Sequence, residues 1–363
     1  MKFAIMHESV TNHDAIGNDI EGMFIILNEH HLCRVYANHR KNDRVTYISE
    51  QELERWMESP DTVIIYHHSV YWEHGYQKIK RFKGNIIFRY HNITPEHFFQ
   101  PFNEQYYKTC KYGREQTLLM IKDHPTAYWL SDSQYNSREL VVMDDNRKDV
   151  CPPFHKIEDW SEIKPDETIL RRLIETNALN VLFVGRIVPN KGYLNLLEVV
   201  RTYVSCYEEG LHLRIIGKYD NDLLNYNEII KKQIRKYHLK SMVEFIGETD
   251  DSTLLSYYLA SDAMLCCSEH EGFFVPGIEA QSLGLPVIAF SESAIPETLG
   301  ENQLLFDQNV YQCAAALRFI HKNDEGKNFF IRSGIRNYQS RFTSKIIRKQ
   351  FISAIERMVG VAI

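Results

Sequence analysis

The sequence predicts an α/β protein made of two doubly wound parallel sheets. Three observations carry this. Short β-rich apolar runs alternate with longer amphipathic segments along the 363-residue chain. The runs are apolar almost without interruption, the pattern of strands covered on both faces. Two such sets flank a Pro-rich, charged stretch from Cys151-Pro152-Pro153 to Lys164-Pro165, which has no periodicity of its own. The length agrees, because domains run to about 100–200 residues each.

In chain order, the first set has strands expected at 2–6 (KFAIM), 62–66 (TVIIY), 86–90 (IIFRY) and 126–130 (TAYWL). The second set has them at 181–184 (VLFV), 212–216 (HLRII), 243–246 (VEFI), 263–267 (AMLCC) and 286–290 (PVIAF). Helical patterns lie at 192–208, 224–238, 252–260 and 277–284, and the tail 325–358 reads as two helices with no strand between them. The expected domains are 1–160 and 161–339, with tail helices from about 340 to 363 packing back onto the first.

Composition excludes several classes. Forty-two basic and 48 acidic residues give a net charge of −6, without the basic footprint of a nucleic-acid binder. The N-terminal MKFAIMHESV has too short an apolar run for a signal peptide, and no stretch reaches the roughly 18 apolar residues of a membrane span. A cytoplasmic protein with reduced cysteines is expected. Sixteen His and seven Cys invite a metal reading. No CxxC or HExxH is present, and Cys266-Cys267 are neighbours in a strand, pointing to opposite faces. Asp220-Asn221-Asp222 has the DxD spacing by which a divalent ion can be held, and is read instead as a solvated acidic loop. No metal and no cofactor is expected.

Ligands of open α/β sheets bind at the carboxyl ends of the strands. In the first half these ends carry His7-Glu8, His67-His68, His91-Asn92 and Ser131-Asp132-Ser133, which reads as the polar edge of a cleft. The second half is more specific. Residues 183–193 give a strand, a glycine turn flanked by Arg186 and Lys191, and a helix beginning near Gly192. Two fixed cations at a helix N-terminus suit a diphosphate. This is not a Walker A loop, which needs GK[ST]. Gly217, after the next strand, allows close backbone approach at the same edge. Glu271 and Glu279 bracket the turn Gly272 to Gly277, which opens a helix. A carboxylate there can accept from the vicinal hydroxyls of a ribose, and the amides of Phe273, Phe274 and Val275 can face phosphate or sugar oxygens.

The segments FVGRIVPNKG, RIIG, VEFIGETDDSTLLSYYLASDAMLCCSEHEGFFVPGIEAQSLGLPVIAF and SAIPETLG, in this order over about 180–310, resemble the retaining glycosyltransferases of family 4, of bacterial polysaccharide type. RYHNITP (89–95) and SDSQYNSREL (131–140) resemble the family's acceptor-domain loops. The resemblance implies the GT-B fold, two Rossmann-like domains facing across a cleft. It implies Arg186 and Lys191 at the donor diphosphate, Glu279 on the ribose and Glu271 at the donor sugar. The amides of Phe273, Phe274 and Val275 would lie beside sugar and phosphates, with His91 facing the sugar. Gly17, in the loop after the first strand, would let that loop approach the phosphates. That loop, His13-Asp14-Ala15-Ile16-Gly17-Asn18, lacks the family's paired glycines, and Phe-Phe-Val is bulkier than the family's usual residues after Gly272.

The implied reaction is metal-independent transfer of a sugar, with retention, from a nucleoside diphosphate donor to a hydroxyl of a glycan or lipid-linked acceptor. A GDP-mannose or UDP-sugar donor and surface-polysaccharide or lipopolysaccharide assembly are expected. Domain closure over the donor is expected as well. The basic aromatic stretch 104–122 offers peripheral contact with the inner membrane face, against the alternative of an amphipathic helix packed on its own domain. The rivals are a catalytically silent glycan-binding or scaffolding relative, an epimerase or phosphorylase on the same fold, and an oxidoreductase. The last is disfavoured because no GxGxxG follows a strand.

Overall fold

The computed structural model describes every residue except His13, Val142 and Val361. The chain forms two compact units, Met1–His97 with Gln105–Lys156 and Thr343–Ile363, and Phe98–Glu104 with Ile157–Phe342.

The first unit contains β1 (Lys2–Met6), β2 (Ser9–Thr11), α1 (Ala15–Leu27), β3 (Leu32–Tyr36), β4 (His39–Lys41), α2 (Glu50–Met57), β5 (Thr62–His68), α3 (Glu73–Lys80) and β6 (Asn85–Tyr90). It continues with α4 (Glu104–Asp123), β7 (Tyr128–Ser131), α5 (Gln134–Glu139) and β8 (Lys148–Val150). Six strands form one parallel sheet in the order β3-β1-β5-β6-β7-β8, and β2 pairs with β4 beside it. Period-2 geometry divides its core. Phe3 and Ile5 enter one cluster with Ile20, Phe24 and Val63, while Ala4 and Met6 enter the other with Tyr66, Trp72 and Trp129. This double burial explains the unbroken apolar runs. β3 (LCRVY) is an additional strand beyond those expected: it is short, Arg34 interrupts it, and only Cys33, Val35 and Tyr36 are buried.

The second unit contains α6 (Glu167–Ile174), β9 (Leu179–Val184), α7 (Tyr193–Tyr207), β10 (Leu211–Ile216), α8 (Leu224–Lys236), β11 (Val243–Gly247), α9 (Asp251–Ala260) and β12 (Ala263–Cys266). α10 (Val275–Ser282), β13 (Val287–Phe290), α11 (Ile295–Leu299), β14 (Leu304–Phe306), α12 (Val310–Lys322) and α13 (Asp324–Arg341) follow. Its parallel sheet runs β11-β10-β9-β12-β13-β14, so chain order reverses direction between β9 and β12. The last helix, α14 (Ser344–Val359), belongs to the first unit, where Ile347, Phe351 and Ile355 share the cluster of Phe3 and Ile5.

All seven cysteines are unpaired, and five of them are buried. Among the described residues no helix is long and apolar enough to cross a membrane. α4 buries Gly113, Gln116, Thr117, Met120 and Ile121 against its own unit and exposes Tyr112, Leu118 and Leu119.

Candidate functional site

The point between β9 and β12 is the topological switch of the second sheet, where loops leave in opposite directions and open a crevice. Arg186 and Lys191 lie on the loop after β9, and Glu271 lies on the loop after β12. The two loops are tied together. Glu269 N–H donates to the Asn190 carbonyl at 2.8 Å, and Asn190 Nδ2 donates to the His270 carbonyl at 3.1 Å. Gly192 has φ 68°, and a Cβ there would lie 1.8 Å from the Cys267 carbonyl oxygen. Only glycine permits this approach. Accordingly Gly192 is the cap and α7 starts one residue later, at Tyr193, whose hydroxyl donates to the Gly185 carbonyl at 2.9 Å.

Lys191 Nζ lies 2.6 and 2.7 Å from the two oxygens of Glu271. These residues are 80 positions apart in sequence. Glu271 is buried and its amide donates to Ser293 Oγ at 2.7 Å. Arg186 is exposed, and its Nη2 meets Asp220 Oδ2 at 2.9 Å. Asp220 also accepts from the Asp222 amide at 3.0 Å, capping a short turn. The first acid of the DxD is thus an arginine partner and a cap. Gly217 holds the β10 loop against the β9 loop, since a Cβ there would lie 2.0 Å from the Gly185 carbonyl oxygen.

Glu279 projects from the second turn of α10, where Tyr258 Oη donates to its Oε2 at 2.6 Å. Burial pushes its carboxyl up to about 7. Phe274, just before α10, is buried in the core and covers Gly277, while Phe273 meets Phe342 edge-on at 5.7 Å. The ring of Phe274 is therefore core and the ring of Phe273 packs on Phe342, so what this turn can offer a ligand is its backbone.

In the first unit His91 stands at the end of β6, with Nδ1 2.8 Å from Asp132 Oδ2 and Nε2 2.8 Å from His67 Nδ1. Asp132 also meets Arg89 Nη2 at 2.7 Å, and Arg89 Nε donates to Asp19 Oδ2 at 2.8 Å. Asp19, His67 and His91 bring three potential ligand atoms within 4.8 Å of one another. Their orientation favours hydrogen bonding over chelation. The two ring centroids are only 5.0 Å apart, so the nitrogens lie nearly on the line between them and face each other head-on. Chelation needs both lone pairs aimed at a third point, and Arg89 already supplies the counter-charge to Asp19.

Two expectations are corrected. Gly17 lies in the first turn of α1, not in a loop. It is buried, and a Cβ there would lie 1.9 Å from the Thr11 carbonyl oxygen, so the glycine serves helix packing. His13 of that segment lies outside the described residues. The strand-end histidines are not a row of cleft-lining groups. His7, His67 and His68 are buried, and burial lowers His7 to about 4, His68 to about 3 and His67 well below its ordinary value. His7 bonds Ser9 O and Ser69 Oγ, and His68 bonds Thr117 Oγ1. The sequence reading missed Tyr258 and Arg89, and it placed Asp132 at a strand end without its partner His91. The charge of Arg89 inside the apolar run IIFRY was the available signal, since a buried guanidinium needs partners.

Residues 166–336 match the family model described as Glycosyl transferases group 1. An uncharacterized 41.2 kDa protein in the cps region of Klebsiella pneumoniae is 32% identical over 129 residues, which is 35% of this chain and 32% of that protein. The chain spans about half or less of the length of the curated relatives it matches. Among solved structures, sucrose-phosphate synthase from Thermosynechococcus elongatus superimposes with TM-score 0.76 at 18% identity, over 99% of both chains. HepE of Anabaena in complex with UDP-glucose does so with TM-score 0.76 at 15% identity, over 98% of this chain and 99% of that one. The fold is GT-B, and residues 166–336 match a group 1 glycosyltransferase domain.

Proposed function

We propose that the chain is a retaining, metal-independent glycosyltransferase that moves a sugar from a nucleoside diphosphate donor to a hydroxyl of a glycan or lipid-linked acceptor in surface-polysaccharide assembly. The carrying observation is the Lys191–Glu271 contact at the switch point of the second sheet, with Arg186 on the same loop as Lys191 and Glu279 on the helix that follows Glu271. The UDP-glucose in the HepE structure supports a nucleotide-sugar donor.

The difficult event is departure of the nucleoside diphosphate. Lys191, Arg186 and the N-terminus of α7 place positive charge where that negative charge develops, the form of stabilisation that acts most strongly in a water-poor site. Glu271 is paired with Lys191, so a diphosphate must compete with this carboxylate. Once displaced, Glu271 is free to accept from sugar hydroxyls. Glu279 takes the ribose. The acceptor attacks the face the leaving group departs from, and the leaving phosphate takes its proton. No covalent sugar–enzyme bond forms, unlike the double displacement of retaining glycosidases. His91 is a positioning group rather than a base, because both ring nitrogens are already bonded. The first unit receives the acceptor, and the exposed Tyr112, Leu118 and Leu119 of α4, beside Lys111 and Lys122, suit a lipid-linked one.

Lys191→Ala is expected to lower transfer at least about a hundredfold while leaving the melting temperature within a few degrees. Product formation is read with a donor chosen from a thermal-shift panel of UDP, GDP, ADP and their sugars. Near-normal turnover in the folded variant sinks the diphosphate assignment. Turnover is expected to persist in excess EDTA, and a strict divalent-ion requirement would return Asp220 and Asp222 to the centre of the reaction.

A further inference from the structure

Tyr258 belongs to α9 and is among the largest fully buried side chains of the protein. Its ring packs against Trp160 at 5.6 Å between centroids. A phenol buried this deeply needs a hydrogen-bond partner. Its short bond, 2.6 Å, goes to Oε2 of Glu279, with the Pro276 carbonyl a distant 3.5 Å away. The side chain of glutamate has several rotatable bonds, and ordering it costs entropy that a ligand would otherwise have to supply. A donor fixed on one oxygen removes that freedom and gives the other oxygen one direction.

We propose that Tyr258 is a positioning residue for ribose recognition: its phenol, wedged against Trp160, holds Oε2 of Glu279 so that Oε1 is presented to the vicinal hydroxyls of the donor nucleotide. This rests on the reading of Glu279 as the ribose ligand. The contact also governs protonation. Burial raises the Glu279 carboxyl to about 7, the Tyr258 bond pulls it down, and the negative charge of Asp251, also on α9, pushes it up. A ribose hydroxyl donates to the ionised carboxylate, so binding weakens as pH falls through about 7. Without the phenol the midpoint moves to higher pH.

The test measures binding of the nucleoside diphosphate that the panel selects, alongside its 2′-deoxy and 3′-deoxy forms, to wild type, Tyr258→Phe and Glu279→Gln between pH 6 and 9. Both substitutions are near-isosteric, and circular dichroism checks the fold. Wild type is expected to prefer the ribonucleotide over both deoxy forms. Glu279→Gln loses that preference and the pH dependence. Tyr258→Phe loses about tenfold in ribonucleotide affinity at pH 7, the scale of one hydrogen bond to a charged group, with much less effect on the deoxy forms. Its binding midpoint moves to higher pH. If Tyr258→Phe keeps both the preference and the midpoint while Glu279→Gln loses them, Tyr258 is an ordinary core residue and the inference falls. If Glu279→Gln itself keeps the preference, or no nucleoside diphosphate binds, the ribose reading fails and takes the inference with it.

Discussion

At the scale of single residues, a buried charge cluster organises the first unit. Arg89 is fully buried between two carboxylates, Asp19 and Asp132, and its Nη1 donates to the Cys151 carbonyl at 2.8 Å. Asp19 also accepts from the Phe154 amide at 2.8 Å, so this arginine and its acids tie α1, β6, the end of β7 and the chain beyond β8. Breaking such a cluster from one side leaves unpaired charge in the interior, which costs several times what the intact contact contributes. Arg89→Met is therefore expected to destabilise the protein by about 3–5 kcal/mol, read as a lower denaturation midpoint in urea. A change below about 1 kcal/mol would mean that water already reaches both acids. The sequence pointed to His91, but its partners Asp132 and His67 come from different strand ends, and no spacing rule links them.

At the scale of elements, the strands were the most legible part. Runs such as TVIIY and VLFV lie in β5 and β9 because a doubly covered parallel strand tolerates little polarity. Edge strands were less legible. β3 and β14 each pair on one side only: Arg34 interrupts β3, and β14 is three residues long and only partly buried. The turn into α7 was half legible: glycine and lysine marked it, but the demand on Gly192 comes from Cys267, on a different strand connection. Gly192→Ala is expected to be worse than the usual cost of alanine at positive φ, because the backbone of two loops must also separate. A loss of about 2–4 kcal/mol and of nucleotide binding is expected, the first by thermal melting and the second by titration. Retained binding in a destabilised but folded variant would uncouple the turn from the site. The bulk of Phe274, which departs from the family's usual smaller residue, fills the core beneath α10.

At the scale of the whole molecule, buried histidines and the buried Glu279 carboxyl respond to pH in opposite senses. His7, His67 and His68 have folded-state values below those of the unfolded chain, so below about pH 6.5 the unfolded chain binds more protons and stability is lost as pH falls. Each contributes about 1.4 kcal/mol per pH unit in that window. Glu279 in the second unit has a raised value, so its contribution runs the other way and grows as pH falls from about 7. Calorimetry between pH 7 and 5.5 is expected to show a falling melting temperature, and His68→Gln should flatten that slope. A melting temperature independent of pH there would show that the three histidines stay accessible to protons in the folded state. The α/β class, the parallel strands and the two sets were legible in the sequence, which also singled out Arg186, Lys191, Glu271 and Glu279 as candidates, because apolar periodicity and polar strand ends are local properties of the chain. Strand order is not local. The folded chain puts β12 beside β9, which joins Lys191 to Glu271 across 80 positions, places Tyr258 against Glu279, and buries His7, His67 and His68 as structural groups. The physical reason is that these pairings are fixed by which surfaces bury one another, and many residues spread along the chain share that decision.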